Sequence, residues 1–446
     1  MQGTVWAGLM CTCTMDKLGE LAYKDKALVY NYRNEVQVPP LEMVDDIITA
    51  SKCGPQVVQT NSAVTKFVKL KKLTLSETKC GRIHVGRTKC DKCMNISVNK
   101  EPIKESEKKK YLGDYMTNKA NPKATILDRK QKGNGILSKM IAILEDIPLG
   151  SLRYEIGCTL RESWFINGTI FNSEIWSAYS ENDIQMLQVL DRKILRLILG
   201  AQAKVPCEML YLETGALELK HVIAVRRLIY LQHILKKHDE EIVKKIYVAQ
   251  KKSPCTGDWV LIVAEDRLTY NIEYSDEQIA ELSDDEFKKY VKKQVRHQAF
   301  NELQDIQNEH IKVKHIKFES LFSPQEYLIN PQINNSIRSL LFNLRCQSVR
   351  GVKANFSNFY QGSTQCHFKC LNKEDSQEHM LQCHQLIIHL DQNQKSMLSE
   401  VEYSDLFGST DKQIKIAQLF QILIRIQERL LGQTQEPACH GKNSGP

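Results

Sequence analysis

No run of apolar residues in this chain approaches the about 20 that a helix needs to cross a membrane, and Met1-Gln2-Gly3 places no charged segment ahead of an apolar leader. These two absences lead to the expectation of a protein that is neither held in a membrane by an apolar helix nor secreted. The acceptor patterns Asn95-Ile96-Ser97 and Asn167-Gly168-Thr169 therefore carry no weight as glycosylation sites. The same reasoning makes the 14 cysteines reduced thiols in the nucleus or cytoplasm, so a clustered set points to metal ligation and not to disulfides. What the chain has is length and apolar content. Its 446 residues allow two to four domains of roughly 100 to 200 residues each, and 42% hydrophobic residues support real cores. Net charge is +8 and unevenly spread, with nine Lys and Arg from Lys66 to Lys92 against only Glu77 and Asp91. A stretch of that kind suits a phosphate backbone, where neutralised charges release counterions, although clustered lysines also form ordinary solvated surface.

The strongest cofactor pattern is Cys366, Cys370, His379 and Cys383, separated by three, eight and three residues. Three thiolates and an imidazole make a tetrahedral zinc set, and two short ligand pairs joined by a loop let a small peptide close round the ion. His367 and His384, each beside a presumed ligand, rank second. Four protein ligands leave no open coordination position, so the expected role is structural. The other reading is a set of buried thiols beside a surface histidine.

A second kind of metal chemistry is suggested by Met43-Val44-Asp45-Asp46, between Pro39-Pro40 and Ile47-Ile48. Two adjacent carboxylates at the end of a strand are the hard oxygen donors that nucleotidyl transfer uses to hold two magnesium ions about 3.5 to 4 Å apart. The pair also occurs in plain surface turns, and its neighbours decide between the two. Gln2-Gly3-Thr4-Val5-Trp6, the Asp45-Asp46 pair, Lys72-Leu73-Thr74-Leu75 through Lys79-Cys80-Gly81-Arg82-Ile83-His84-Val85-Gly86, and Lys110-Tyr111-Leu112-Gly113-Asp114 follow one another in the order of a polymerase palm. From these motifs the chain resembles the reverse transcriptase of a LINE-type, non-LTR retrotransposon, entered in the middle of its palm.

The resemblance implies that Gly3 lies beside incoming nucleotide and template, that Asp45 and Asp46 ligate magnesium, that Lys79 lies near the leaving pyrophosphate, and that the Lys110–Asp114 segment grips the primer end. It extends to Leu160-Arg161-Glu162-Ser163-Trp164-Phe165-Ile166-Asn167-Gly168 and Tyr211-Leu212-Glu213-Thr214-Gly215, similar to the family's thumb, where Arg192, Arg196, Arg226 and Arg227 are implied phosphate contacts. The C-terminal Cys and His set, with Lys353-Ala354-Asn355-Phe356 and Glu374-Asp375-Ser376-Gln377-Glu378-His379 around it, resembles the family's zinc knuckle, with Arg345, Arg350 and Lys353 as further phosphate contacts. A competing set, Cys80, His84, Cys90 and Cys93, is set aside because the resemblance gives Cys80 and His84 no metal role. Cys90 and Cys93 are left unexplained. No second cluster of acids and histidines supports an endonuclease.

Patterning fills in the rest. Ser180 and Asp183 open a helix whose Ile184, Leu187, Leu190, Ile194 and Leu197 recur at helical spacing until Gly200 stops it. A second helix over about 218–237 puts Val222, Val225, Ile229 and Leu231 inside and Arg226, Arg227, Lys236 and Lys237 outside. Residues 121–150 read as a polar linker passing into an apolar segment, and the pattern weakens over 249–278. Ser283 and Glu286 form a capping box for a long helix through Phe287, Val291, Val295, Ala299, Leu303 and Ile306. Further helices are expected over about 334–348 and 411–431, the last packing back on the zinc module.

The expected fold class is α+β, a partial reverse-transcriptase palm (1–116) followed by a linker and helical thumb (117–250), a helical connector (251–345), a zinc knuckle (346–390), a C-terminal helix (391–433) and a disordered tail (434–446). The expected partners are RNA and DNA as template-primer, with no membrane. Since the family's first metal-binding aspartate lies upstream of the Gly3 segment on a separate strand, the chain alone is expected to bind nucleic acid without polymerising. The alternative is a non-enzymatic, zinc-containing nucleic-acid-binding protein.

Overall fold

The computed structural model describes residues 18, 28–43, 46–86, 96–98, 100–309, 323–349, 352–353 and 363–433. It is 61% helical with a few small antiparallel sheets, an α+β chain at that level. Gly3, Asp45, Cys90, Cys93, Arg350 and the tail 434–446 lie outside the described residues.

Between Tyr30 and Thr117 the strands come in pairs: β1 (Tyr30–Tyr32) with β2 (Val36–Val38), β3 (Leu41–Met43) with β4 (Asp46–Ile48), β5 (Ser97–Val98) with β6 (Glu101–Pro102), and β7 (Lys108–Tyr111) with β8 (Asp114–Thr117). The helix α1 (Gly54–Leu70) separates the second pair from the third and carries Pro55 in its first turn, where the missing N–H costs nothing. Register in the second hairpin pairs Met43 with Asp46. The β7–β8 hairpin turns on Leu112 and Gly113, both at positive φ (47° and 91°).

Helices then take over. They run as α2 (Lys123–Glu145), α3 (Ser151–Leu160), α4 (Glu181–Leu199), α5 (Cys207–Thr214), α6 (Leu219–Leu235), α7 (Ile242–Lys252), α8 (Trp259–Thr269), α9 (Asp276–Glu281), α10 (Asp284–Glu309), α11 (Glu326–Ile329) and α12 (Asn335–Arg345). The C-terminal part adds α13 (Gln377–Gln382), α14 (His384–Ile387), α15 (Gln392–Ser399) and α16 (Thr410–Gln433). α3 passes into a π-helical stretch, Arg161–Ile166. The caps follow the sequence: Ser180 N and Oγ donate to Asp183 Oδ2 at 2.9 and 2.8 Å, and Gly200, at φ 63°, ends α4. Ser283 and Glu286 exchange the two hydrogen bonds of a capping box.

Two compact units emerge, each assembled from separate segments of chain. One takes Met1–Gln131, Ile170–Gln185 and Val222–Val295, and the other Lys132–Thr169, Met186–His221 and Arg296–Pro446. In the first, Leu228, Leu231, Ile279, Phe287, Val291 and Val295 are fully buried in one apolar cluster, and Leu28, Phe67 and Val68 belong to a smaller one. In the second, α16 packs its apolar side on α12, α13, α14, α15 and the 3-10 turn Tyr403–Phe407. That contact matches the expectation that the tail helix packs back on the cysteine module.

Three expectations are corrected. Residues 123–145 form one continuous helix and not a linker, because buried Ile126, Met140 and Leu144 anchor it through its polar stretch. Residues 249–278 contain α8 and the start of α9, held by Val260, Val263 and Ile279 in the core of the first unit. Arg227, expected on the outer side of its helix, is 1% exposed, since a carboxylate and a phenol inside receive it.

Candidate metal centre

Cys366 and Cys370 flank a tight loop. Cys366 N donates to Lys373 O at 2.9 Å and Lys369 N to Cys366 O at 2.9 Å, while Gln365 bridges Glu374 in antiparallel sense. Lys369 and Asn372 take positive φ (57° and 53°), which reverses the chain and turns both thiols to one side. Ser376 then caps α13, its Oγ accepting from His379 N at 3.1 Å. His379 thereby stands in the first turn of α13, and Cys383 ends that helix while starting α14.

The donor atoms of Cys366, Cys370, His379 and Cys383 all lie within 4.8 Å of one another. The Cys383 Sγ is 3.9 Å from Cys366 Sγ and 3.8 Å from Cys370 Sγ. Corners of a tetrahedron with zinc–sulfur bonds of about 2.3 Å stand about 3.8 Å apart, so the spacing is that of a coordination shell. Both ring nitrogens of His379 are buried without a hydrogen-bond partner among the described residues, which is costly for an imidazole unless a cation takes its lone pair. Burial keeps His379 below its ordinary value, favouring the neutral ligating form. Burial, with the Cys366 sulfur close by, pushes the Cys383 thiol up to about 12, and burial also raises Cys370. Three crowded sulfurs resist ionising together, and a divalent cation at their centre removes that resistance. The set can hold a metal ion and is compatible with zinc.

The two competing histidines fall outside the set. His367 Nε2 lies 3.3 Å from Asp375 Oδ2, and His384 is exposed at the start of α14. Asp375 is 4% exposed and also accepts from Lys353 N at 2.7 Å, tying the segment before the loop to it. Lys353 Nζ donates to Gln365 O at 3.1 Å. Sequence reading missed Asp375 as this anchor; a buried acid between ligand pairs, next to a capping serine, was the available signal.

Of the aspartate pair, Asp46 is exposed at the start of β4, where it pairs with Met43. Burial raises the Tyr111 phenol, and the carboxylates of Asp46 and Glu42 add to that rise. Lys79 is exposed in the turn that follows Ser76. Cys80 is half-buried and His84 is placed in the same stretch. Among the described residues, the cysteine cluster alone brings three or more metal-ligating side chains together, and nothing there supports a magnesium site.

The arginines named from the resemblance are engaged within their own units. Arg192 Nη2 donates to Glu218 Oε1 at 2.9 Å and Arg196 Nη2 to Val205 O at 3.0 Å. Arg226 Nη1 donates to Ile170 O at 2.6 Å. Arg227 reaches Asp266 Oδ2 and Tyr179 Oη, both at 2.6 Å. Arg345 is 2% exposed, donating to Glu213 Oε1 at 2.7 Å, Leu406 O at 2.7 Å and Gln325 Oε1 at 3.2 Å, with Tyr327 Oη on the other Glu213 oxygen at 2.9 Å. Arg161 likewise clamps Asp191 through Nε and Nη2 at 2.7 and 2.9 Å. Of these pairs Arg161–Asp191 is bidentate, whereas Arg345 divides its donors among Glu213, Leu406 and Gln325.

At the level the geometry defines, this is a mostly helical α+β chain with a Cys3His cluster that could hold a metal ion. No family model, no curated protein and no solved structure matches it.

Proposed function

We propose that the chain is the palm-end, thumb, connector and zinc-module portion of a non-LTR reverse transcriptase, and that its own activity is to bind RNA and DNA as template-primer. The reading rests on motif order along the sequence. The single observation that supports it best is the convergence of Cys366, Cys370, His379 and Cys383 to within 4.8 Å, at the spacing expected of the family's knuckle. Binding, and not polymerisation, is assigned: magnesium chemistry needs carboxylates from more than one strand around the ions, and Asp46 has no such company among the described residues.

Fluorescence anisotropy with a labelled RNA/DNA primer-template tests this. The expected result is binding whose affinity falls linearly on a log–log plot against salt, about 0.7 to 0.9 per phosphate neutralised, without primer extension. Cys366→Ser or His379→Ala weakens it, and Asp46→Asn leaves it unchanged. Absence of binding at about 50 mM salt, where phosphate contacts are strongest, overturns the reading.

A further inference from the structure

Helix α10 carries Lys288, Lys289, Lys292 and Lys293, all exposed, while Phe287, Val291 and Val295 of the same turns are fully buried. At 3.6 residues per turn the four form two i, i+4 rows, with ammonium stems spaced about 6 Å along the axis. Among the described residues none of the four makes an ion pair. Their surroundings make this a selective omission. In Val222–Val295, Arg227, Lys236, Lys237, Lys244, Lys245, Lys251, Lys252 and Arg267 each pair with a carboxylate, and Arg226 donates to a backbone carbonyl. The acids of α10 nearest the lysines sit in its first turn, where Asp284 is paired with Lys236, Glu286 caps Ser283 and also feels the charge of Lys289, and Asp285 stands three and four residues before Lys288 and Lys289 without forming an ion pair among the described residues. Like charges four apart on a helix repel, and a polyanion laid along the face relieves that repulsion.

Resting on the binding function proposed above, we infer that this lysine face of α10 is a docking surface for the phosphate backbone of nucleic acid, one to which the sequence motifs assign nothing. Charge complementarity selects the occupant. A membrane-surface helix would need an apolar face to bury in lipid, whereas the apolar residues of these turns are already inside the protein. Lysines act as point charges without the planar fork that reads guanine, so the contact is independent of sequence.

The test compares the full chain with K288Q/K289Q/K292Q/K293Q on a labelled RNA/DNA duplex between 50 and 200 mM salt. Removing the contacts should make the log–log salt slope shallower by about 2 to 4 and weaken low-salt binding at least about tenfold. A charge-matched control, K244Q/K245Q/K251Q/K252Q, should change the slope by less than about 1. Glutamine keeps the helix propensity of lysine, circular dichroism checks the fold, and the four-arginine variant at 288, 289, 292 and 293 must retain wild-type slope. An unchanged slope and affinity in the quadruple glutamine chain, with the wild type binding, overturns the α10 surface and leaves the functional reading standing. A wild type that binds no nucleic acid overturns both. Capture by phosphatidylcholine–phosphatidylserine vesicles in place of duplex overturns the choice of partner.

Discussion

His221 shows how a single side chain can make this protein sensitive to acid. Its Nε2 lies 3.6 Å from Glu302 Oε2, and burial, reinforced by the charge of Lys220 and opposed by Glu302, holds its pKa down to about 4. A free histidine titrates near 6.5, so the folded state takes the proton less readily than the unfolded one. The stability contributed is full above pH 6.5 and is lost as pH falls through that range toward 4. From pH 7 to pH 5 the loss is on the order of 2 kcal/mol. His221→Gln, which cannot titrate, should reduce the difference between urea midpoints measured at the two pH values. Parallel pH profiles for wild type and variant would refute this. Nothing in the sequence marked His221, because its environment comes from Glu302, 81 positions away along the chain on α10. Arg227 was misplaced for the same reason: helical spacing gives the face a residue occupies, but not whether a buried acid waits opposite it.

At the scale of elements, the start and stop signals were the readable part. Ser180 with Asp183, Ser283 with Glu286, and Gly200 act through neighbours a few residues away, and each does in the fold what its position implies. Contacts between elements leave fainter traces. Gly157 looks like a weak point in α3, yet a methyl there would come within 2.6 Å of Ile198 Cγ1 and 3.1 Å of its Cδ1. The missing side chain is what lets α3 lie close to α4. Gly157→Ala should therefore destabilise by about 1 to 3 kcal/mol through overpacking, against a helix-propensity gain of about 1. Urea denaturation measures the net effect, and Ile198→Ala in the same chain should recover part of it. A more stable Gly157→Ala protein would show that the two helices do not pack as described. The polar stretch of α2 was read as linker because its anchoring residues are few and widely spaced, a pattern that only tertiary packing turns into a helix.

For the whole molecule, the cysteine–histidine cluster is the part of the candidate site most fully written in the sequence, since four side chains in one short segment need little else to meet. The zinc-loaded chain should hold one ion, and both a chelator and Cys383→Ser should remove it. Structural zinc contributes on the order of 10 kcal/mol to such modules, so hydrogen exchange should lose protection across 363–390 and along α16, which packs there. Zinc retained at full stoichiometry by Cys383→Ser would redirect attention to Cys80, His84, Cys90 and Cys93. The division into two units was not legible at all. Each gathers three separated segments, and hydrophobic periodicity marks helices without saying which of them share a core.

The Arg345 cluster has a consequence for how the polypeptide is made. Its partner Glu213 leaves the ribosome 132 residues earlier, an interval on the order of 10 s at about 5 to 20 residues per second. Until then that carboxylate, which also accepts from the Tyr327 hydroxyl, has no Arg345 to close on, and Leu406, which supplies a further acceptor, emerges later still. The nascent second unit must wait, hydrated and exposed to chaperones, for its last third to be translated.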